Sequence, residues 1–343
     1  MFASVLSTMG SVLVALYQAS PLSPGGHSAL HPSAPQAAHI EWLYWVIFWI
    51  CFSAFVLTFA VFTRGSARTY ISQPEPLPPI KEHPNDSKAV WYVGGAIAVT
   101  VLSLFAVLFM SVITGKQVEG ATAEKNVLTI QITGHQWWWE IQYPNSQAYQ
   151  TITTANEIHV PAGRRVIILT KSADVIHSFW APSITGKRDL IPGPSSAFSF
   201  EVDKPGIYHG QCAEFCGLQH AHMGFSVIAE PEDQFEAWEK EQIAPARDPT
   251  TPDQLRGRQV FLTHACVMCH TIRGTDAGSR VGPDLTHIAS RKMIAAETLP
   301  NTRGDLAGWI SDPQVIKPGT LMVPNPMQPD DLQALITYLG SLQ

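Results

Sequence analysis

Charge is scarce in this chain of 343 residues: only 15% are Asp, Glu, Lys or Arg, against roughly one quarter in a soluble globular protein. Together with 45% hydrophobic residues and 10 Trp, that shortage excludes a disordered or fibrous polymer and a wholly cytosolic enzyme. Basic residues are absent from the start of the chain, where no Lys or Arg precedes Arg64. The net charge of -6 leaves no basic excess to release counterions from phosphates, which excludes a nucleic-acid binder. Cysteine is sparse as well. The five, at 51, 212, 216, 266 and 269, make two close pairs and one leftover, which is no spread disulfide framework. Internal repeats and low-complexity tracts are also missing.

Charge is missing altogether from Trp42 to Thr63 and from Ala89 to Thr114, and each run is long enough to cross a bilayer core of roughly 30 Å. Aromatic residues Trp42, Tyr44, Trp91 and Tyr92 sit at the run ends, as at a membrane interface. Residues 37–118 therefore read as a transmembrane hairpin, with helices over about 42–63 and 89–114. Arg64, Arg68, Lys81 and Lys88 lie between the two runs, so the positive-inside rule puts that loop in the cytoplasm and both ends outside. Residues 1–36 form an N-terminal segment whose apolar stretch 2–17 suits a signal peptide except that it lacks a positive start.

After Lys116 the pattern changes to short alternating stretches such as Val127–Thr133, Val166–Thr170 and Ala197–Val202, bounded by Pro161-Ala162-Gly163 and Lys204-Pro205-Gly206. Residues 119–243 read as a β-sandwich closed by a short acidic helix after Pro231, and 244–251, with two prolines, as a semi-rigid linker. Residues 252–343 read as a small all-α domain. Thr251-Pro252-Asp253-Gln254 is a capping box with proline at the first helical position. Leu306, Trp309 and Ile310 mark a helix stopped by Pro313, and Leu332, Leu335, Ile336 and Leu339 mark the last one.

Two motifs carry chemistry. Cys266-Val267-Met268-Cys269-His270 is the c-type haem attachment pattern: two thiols add to the porphyrin vinyls and the adjacent histidine is left for the iron. A methionine from the Pro-rich loop before the last helix suits the sixth position, because a thioether stabilises ferrous iron. Met322 is preferred, in a loop 317–322 that resembles the haem-ligand loop of bacterial cytochromes c, with Met327 the alternative. The second motif is Cys212-x3-Cys216-x3-His220-x2-Met223, with His177 35 residues before Cys212. Two thiolates, two imidazoles and a thioether form a soft set that favours copper, and paired sulfurs can bridge two coppers. A disulfide or a tetrahedral zinc are the rivals, and neither uses Met223. His209 and His222 are assigned no metal, and Cys51 reads as an inert apolar residue.

The two apolar helices, Gly134-His135-Gln136-Trp137-Trp138-Trp139 and the copper loop resemble subunit II of haem-copper cytochrome c oxidases. With the fused haem motif the chain resembles the caa-type member of that family, over almost everything after about residue 36. The resemblance implies a multidomain fold of a two-helix transmembrane hairpin, a cupredoxin-like β-sandwich and a small all-α cytochrome c domain. It implies a dinuclear CuA centre with Cys212 and Cys216 bridging, His177 and His220 terminal, Met223 on one copper and the carbonyl of Glu214 on the other. The Glu214 side chain is implied to hold Mg or Mn at the contact with subunit I, and Trp137 to be the point of electron input toward CuA. Without the family, Trp137 reads as sandwich core or membrane-interface belt, with 137 and 139 on one strand face. One departure is Lys88, which stands about where many relatives have a glutamate at the mouth of a proton pathway; Asp86 or Glu82 are the substitutes.

The chain then reads as the electron-input subunit of a respiratory terminal oxidase in the bacterial cytoplasmic membrane, multi-pass, with both redox domains on the periplasmic side. Its implied partners are membrane lipid, oxidase subunits I and III, and a cytochrome c or another respiratory complex as donor. A nitrous-oxide-reductase-like protein would bring a large His-rich domain, and a copper-carrying protein would need no haem. Residues 119–248 hold 9 basic and 16 acidic residues, whereas 252–343 hold 8 of each. With no charge complementarity between the two, the tether must bring them together, at an effective concentration of roughly millimolar.

Overall fold

The computed structural model describes residues 27–71, 87–119 and 127–343. The apolar stretch 2–17, with its signal-peptide reading, and Lys81, Glu82 and Asp86 lie outside the described residues. The chain divides into Ala38–Glu119 and the remainder.

Helices α1 (Pro35–Ile71) and α2 (Ser87–Glu119) are each long and apolar enough to cross a membrane. Both run past the apolar stretches, because a nucleated helix gains a backbone hydrogen bond per added residue even where the flanks are polar. Phe55, Leu57, Phe62, Leu102 and Phe109 stand exposed along them, an arrangement that suits lipid rather than water. Their hydroxyls are satisfied within the helix: Thr58, Thr100 and Ser103 donate to carbonyls one turn back, at 2.8, 2.9 and 2.8 Å.

The sandwich has two five-stranded sheets. The first contains β1 (Leu128–His135), β2 (Trp138–Tyr143), β3 (Ile152–Ala155), β5 (Arg165–Ser172) and β8 (Ser196–Glu201), in the order β3-β2-β1-β5-β8. The second contains β4 (Glu157–Pro161), β6 (His177–Trp180), β7 (Arg188–Leu190), β9 (Gly206–Cys212) and β10 (Gly224–Glu230), in the order β4-β10-β9-β6-β7. Alternation decides which face is buried. Ile130, Ile132, Trp139, Ile141, Val166 and Ile168 of the first sheet and Ile158, Phe179, Phe225 and Val227 of the second share one core. Helix α3 (Glu232–Ile243) closes the edge, burying Phe235.

The C-terminal domain packs α4 (Pro252–Thr263), α5 (Arg303–Ser311), the short α6 (Pro313–Ile316) and α7 (Pro329–Leu339) around Phe261, Leu306, Ile310, Leu335 and Tyr338. It is helical, with one addition that the sequence pattern does not announce: a two-residue ladder of β11 (Met293–Ile294) and β12 (Leu299–Pro300). The capping box is formed, with the Gln254 amide donating to the Thr251 hydroxyl and the Thr251 amide to the Gln254 side chain, both at 3.2 Å. The α4–α7 crossing depends on Gly257. A Cβ there would overlap the Ala334 carbonyl and lie 2.6 Å from the Tyr338 Cβ.

Gly257→Ala should therefore destabilise this domain by about 1–3 kcal/mol, although alanine is the better helix former by about 1 kcal/mol. Thermal unfolding of the full holoprotein, followed by haem absorbance, should show the haem-domain transition lowered by roughly 4–8 °C per kcal/mol. An unchanged or raised midpoint would mean that the helices part without cost.

Candidate metal centres

The Cys212 loop is held at both ends by backbone pairing. Cys212 ends β9, opposite Phe179 of β6, and its amide donates to the Met223 carbonyl at 3.0 Å, while Ala213 donates to Ser178 at 2.9 Å. Eleven residues of loop thus leave and return at one point, and β6 supplies His177 from beside it. The sulfurs of Cys212 and Cys216 lie 3.7 Å apart. His177 Nδ1 is 3.9 Å from the Cys212 sulfur, and the Glu214 carbonyl is 3.2 Å from it. His220 Nδ1 and Met223 Sδ lie 3.6 and 3.8 Å from the Cys216 sulfur.

A disulfide would need the sulfurs near 2.05 Å, so both thiols are free. Contact with Cys216 holds the Cys212 thiol far below the usual thiol range, and contact with Cys212 together with burial pushes the Cys216 thiol up. Such a buried pair, with two imidazoles, a thioether and a carbonyl around it, has more donors than one tetrahedral zinc can use and fits a pair of soft metals.

Four residues that the sequence reading left without a role shape this site. Asp174 Oδ1 lies 2.7 Å from His177 Nε2 and fixes the ring with Nδ1 toward the sulfurs, while its Oδ2 accepts from the Gln136 amide at 2.7 Å. Gly134 leaves room for the same ring, since a Cβ there would lie 2.7 Å from His177 Cδ2. Trp139, fully buried, donates its indole N–H to the Met223 carbonyl at 3.2 Å. Gln136 donates to the Cys216 carbonyl at 2.7 Å.

In the helical domain, Cys266 lies in a tight turn Ala265–Met268, and the amides of Cys269 and His270 both return to its carbonyl, at 3.2 and 3.0 Å. Cys266, Cys269, His270 and Met322 line one cavity of about 380 Å³. His270 Nδ1 donates to the Pro283 carbonyl at 2.7 Å, leaving Nε2 for the cavity, and burial lowers its pKa. Arg291 lines the same cavity with a buried Nε that has no hydrogen-bond partner, an orphan that an anionic group of a bound cofactor would satisfy. Covalent haem fits these residues.

Trp137 lies in the turn between β1 and β2 rather than in a strand, yet burial still alternates along 137–139. It is 7% exposed, its indole N–H donates to the Cys216 carbonyl at 3.0 Å, and it also lines the cavity of His270. Met327 packs on the helical core but is not among the cavity's lining residues. His209 lies near Glu297 at 3.4 Å, and His222 near Gln219 at 2.8 Å. The side chains of Glu214 and Lys88 are exposed, as is Cys51.

Residues 145–230 match the family described as cytochrome c oxidase subunit II, periplasmic domain, and residues 254–343 match cytochrome c. The chain is 35% identical to a cytochrome c oxidase subunit 2 of Alkalihalophilus pseudofirmus over 321 residues, 92% of this chain and 91% of that one. It is 31% identical to the subunit 2 of Bacillus sp. strain PS3 over 268 residues, 74% and 73% of the two chains. With the subunit 2 of Bacillus subtilis, identity is 30% over 236 residues, 66% and 65%.

Asp174→Ala should release the His177 ring and lower copper affinity by about 10–100-fold, as loss of a carboxylate behind a metal-binding histidine does elsewhere. Competition with a copper chelator measures this on the full chain. Unchanged affinity would mean that His177 is oriented without Asp174.

Proposed function

Since this chain belongs to the cytochrome c oxidase subunit 2 family, we propose that it is the electron-input subunit of a respiratory terminal oxidase, carrying electrons from an external donor by way of covalent haem c and dinuclear CuA to the oxygen-reducing centre of subunit I. A cytochrome c or another respiratory complex is the donor, and subunit III is a further partner. The hairpin anchors the chain as a multi-pass protein of the bacterial cytoplasmic membrane, with both redox domains on the periplasmic side.

The observation that carries this reading is Trp137. One indole lines the cavity of Cys266, His270 and Met322 and donates to the carbonyl of Cys216, so the two candidate centres share a single buried side chain. Bound haem and paired copper supply reversible one-electron chemistry. The chain's own residues hold both and keep water away. Cys266 and Cys269 would hold the porphyrin through thioethers, and His270 Nε2 and Met322, rather than Met327, would be the donors to its iron. Cys212 and Cys216 would supply the two shared thiolates for the coppers, His177 and His220 the imidazoles, and Met223 and the Glu214 carbonyl the remaining donors. A buried soft donor set disfavours reorganisation when one electron is added, which suits a relay. The exposed Glu214 carboxylate remains for Mg or Mn at the contact with subunit I, since hard ions take oxygen donors. Trp137 is then the point of electron input toward the copper ligands.

Met322→Ala should lower the haem potential and slow donor oxidation by at least about tenfold while the copper spectrum stays unchanged. Redox titration with stopped-flow kinetics on the assembled oxidase measures both. Native potential with native donor kinetics would leave Met327, or neither methionine, as the ligand.

A further inference from the structure

Lys317 belongs to the helical domain, but its side chain ends in the other one. It is 2% exposed, and its ammonium donates to the carbonyls of Trp137 at 2.9 Å, His222 at 2.7 Å and Ala295 at 3.1 Å. An ammonium has three N–H donors, and here each has one acceptor. Two acceptors come from the β-sandwich and one from its own domain, so the set is complete only when the domains are in contact. Burial of this amine is costly enough to lower its pKa to about 7. A residue kept for stability alone would be apolar at such a position; a buried amine with directional partners fixes one register instead.

Its two partners across the seam are informative. Trp137 is the indole shared by both candidate centres, and His222 immediately precedes Met223. The residues after Lys317 extend the same contact. The Pro318 carbonyl accepts from Gln219 at 2.8 Å, and a Cβ at Gly319 would lie 3.6 Å from the Trp137 ring. The loop that ends in Met322 thus lies on Trp137 and leaves it nearly inaccessible to solvent.

We propose that Lys317 is the positioning residue that fixes the haem-binding domain against Trp137, and that this seam closes Trp137 to soluble donors and reserves it for the chain's own haem. The inference rests on the electron-transfer reading above. In that reading one electron leaves ferrous haem and enters the oxidised copper pair, with no bond broken and no proton moved. Lys317 takes no part in the redox change; it sets the distance and orientation over which the change occurs.

Two measurements on the holoprotein test this. In Lys317→Met, haem-to-copper transfer after flash reduction of the haem should slow by roughly tenfold to a hundredfold, as small misplacements do. Haem potential and both metal spectra should stay native. A rate within about twofold of native, with both spectra intact, would overturn the proposal. The second uses the unmodified protein and so survives any failure of the variant to assemble. Acetylation with an amine-reactive ester, read by mass spectrometry, should modify Lys317 at least about tenfold more slowly than the exposed Lys292. Equal rates would mean an open seam and would also overturn it. If the native protein shows no haem-to-copper transfer while Lys317 is protected, the functional reading fails and the pin stands.

Discussion

Cys212 and Cys216 hold their sulfurs 3.7 Å apart in a buried loop, and the β-sandwich is built around that pair. Concentrated negative charge is costly in a low-dielectric interior, and only bound cations offset it fully. The sandwich pre-arranges what such cations need. Opposed strands fix the loop ends, Gly134 leaves space for the His177 ring, Asp174 fixes its tautomer, and Trp139 ties down the carbonyl of Met223.

The second constraint is distance. A charge count leaves the two halves without electrostatic attraction, and a flexible tether alone would give a distribution of encounters. The seam replaces that distribution with one arrangement. Lys317 reaches carbonyls on both sides, Gln219 binds Pro318, and the Glu157 carboxylate accepts from the Lys292 amide at 2.7 Å. The cavity of His270 is consequently walled in part by Gln136, Trp137 and Trp138 of the sandwich. Neither domain encloses it alone.

Local spacing made much of this legible. Cys212, Cys216, His220 and Met223 lie within twelve residues, and Cys266, Cys269 and His270 within five, so ligand chemistry could be read from the order of residues alone. The two helices were equally plain, since absence of charge over a bilayer's thickness has few causes. Contacts at long range were not legible. Lys317 meets Trp137 across 180 residues and through backbone carbonyls, which every residue carries and no motif marks. Asp174 stood three residues before His177, a signal too common to notice. Met322 and Met327 lie at similar distances in sequence from the cysteine pair; the loop 317–322 favours Met322, and of the two Met322 lines the cavity. Strand periodicity put Trp137 on a strand face, whereas it lies in the turn, where its ring can face both centres.

The central claim is that one chain holds two centres of different metals. Metal analysis with electron paramagnetic resonance on the purified holoprotein tests it most directly. Two coppers and one haem iron per chain, with the unpaired electron shared over both coppers, is the predicted result. One copper per chain, zinc in its place, or an electron confined to a single copper nucleus would contradict it.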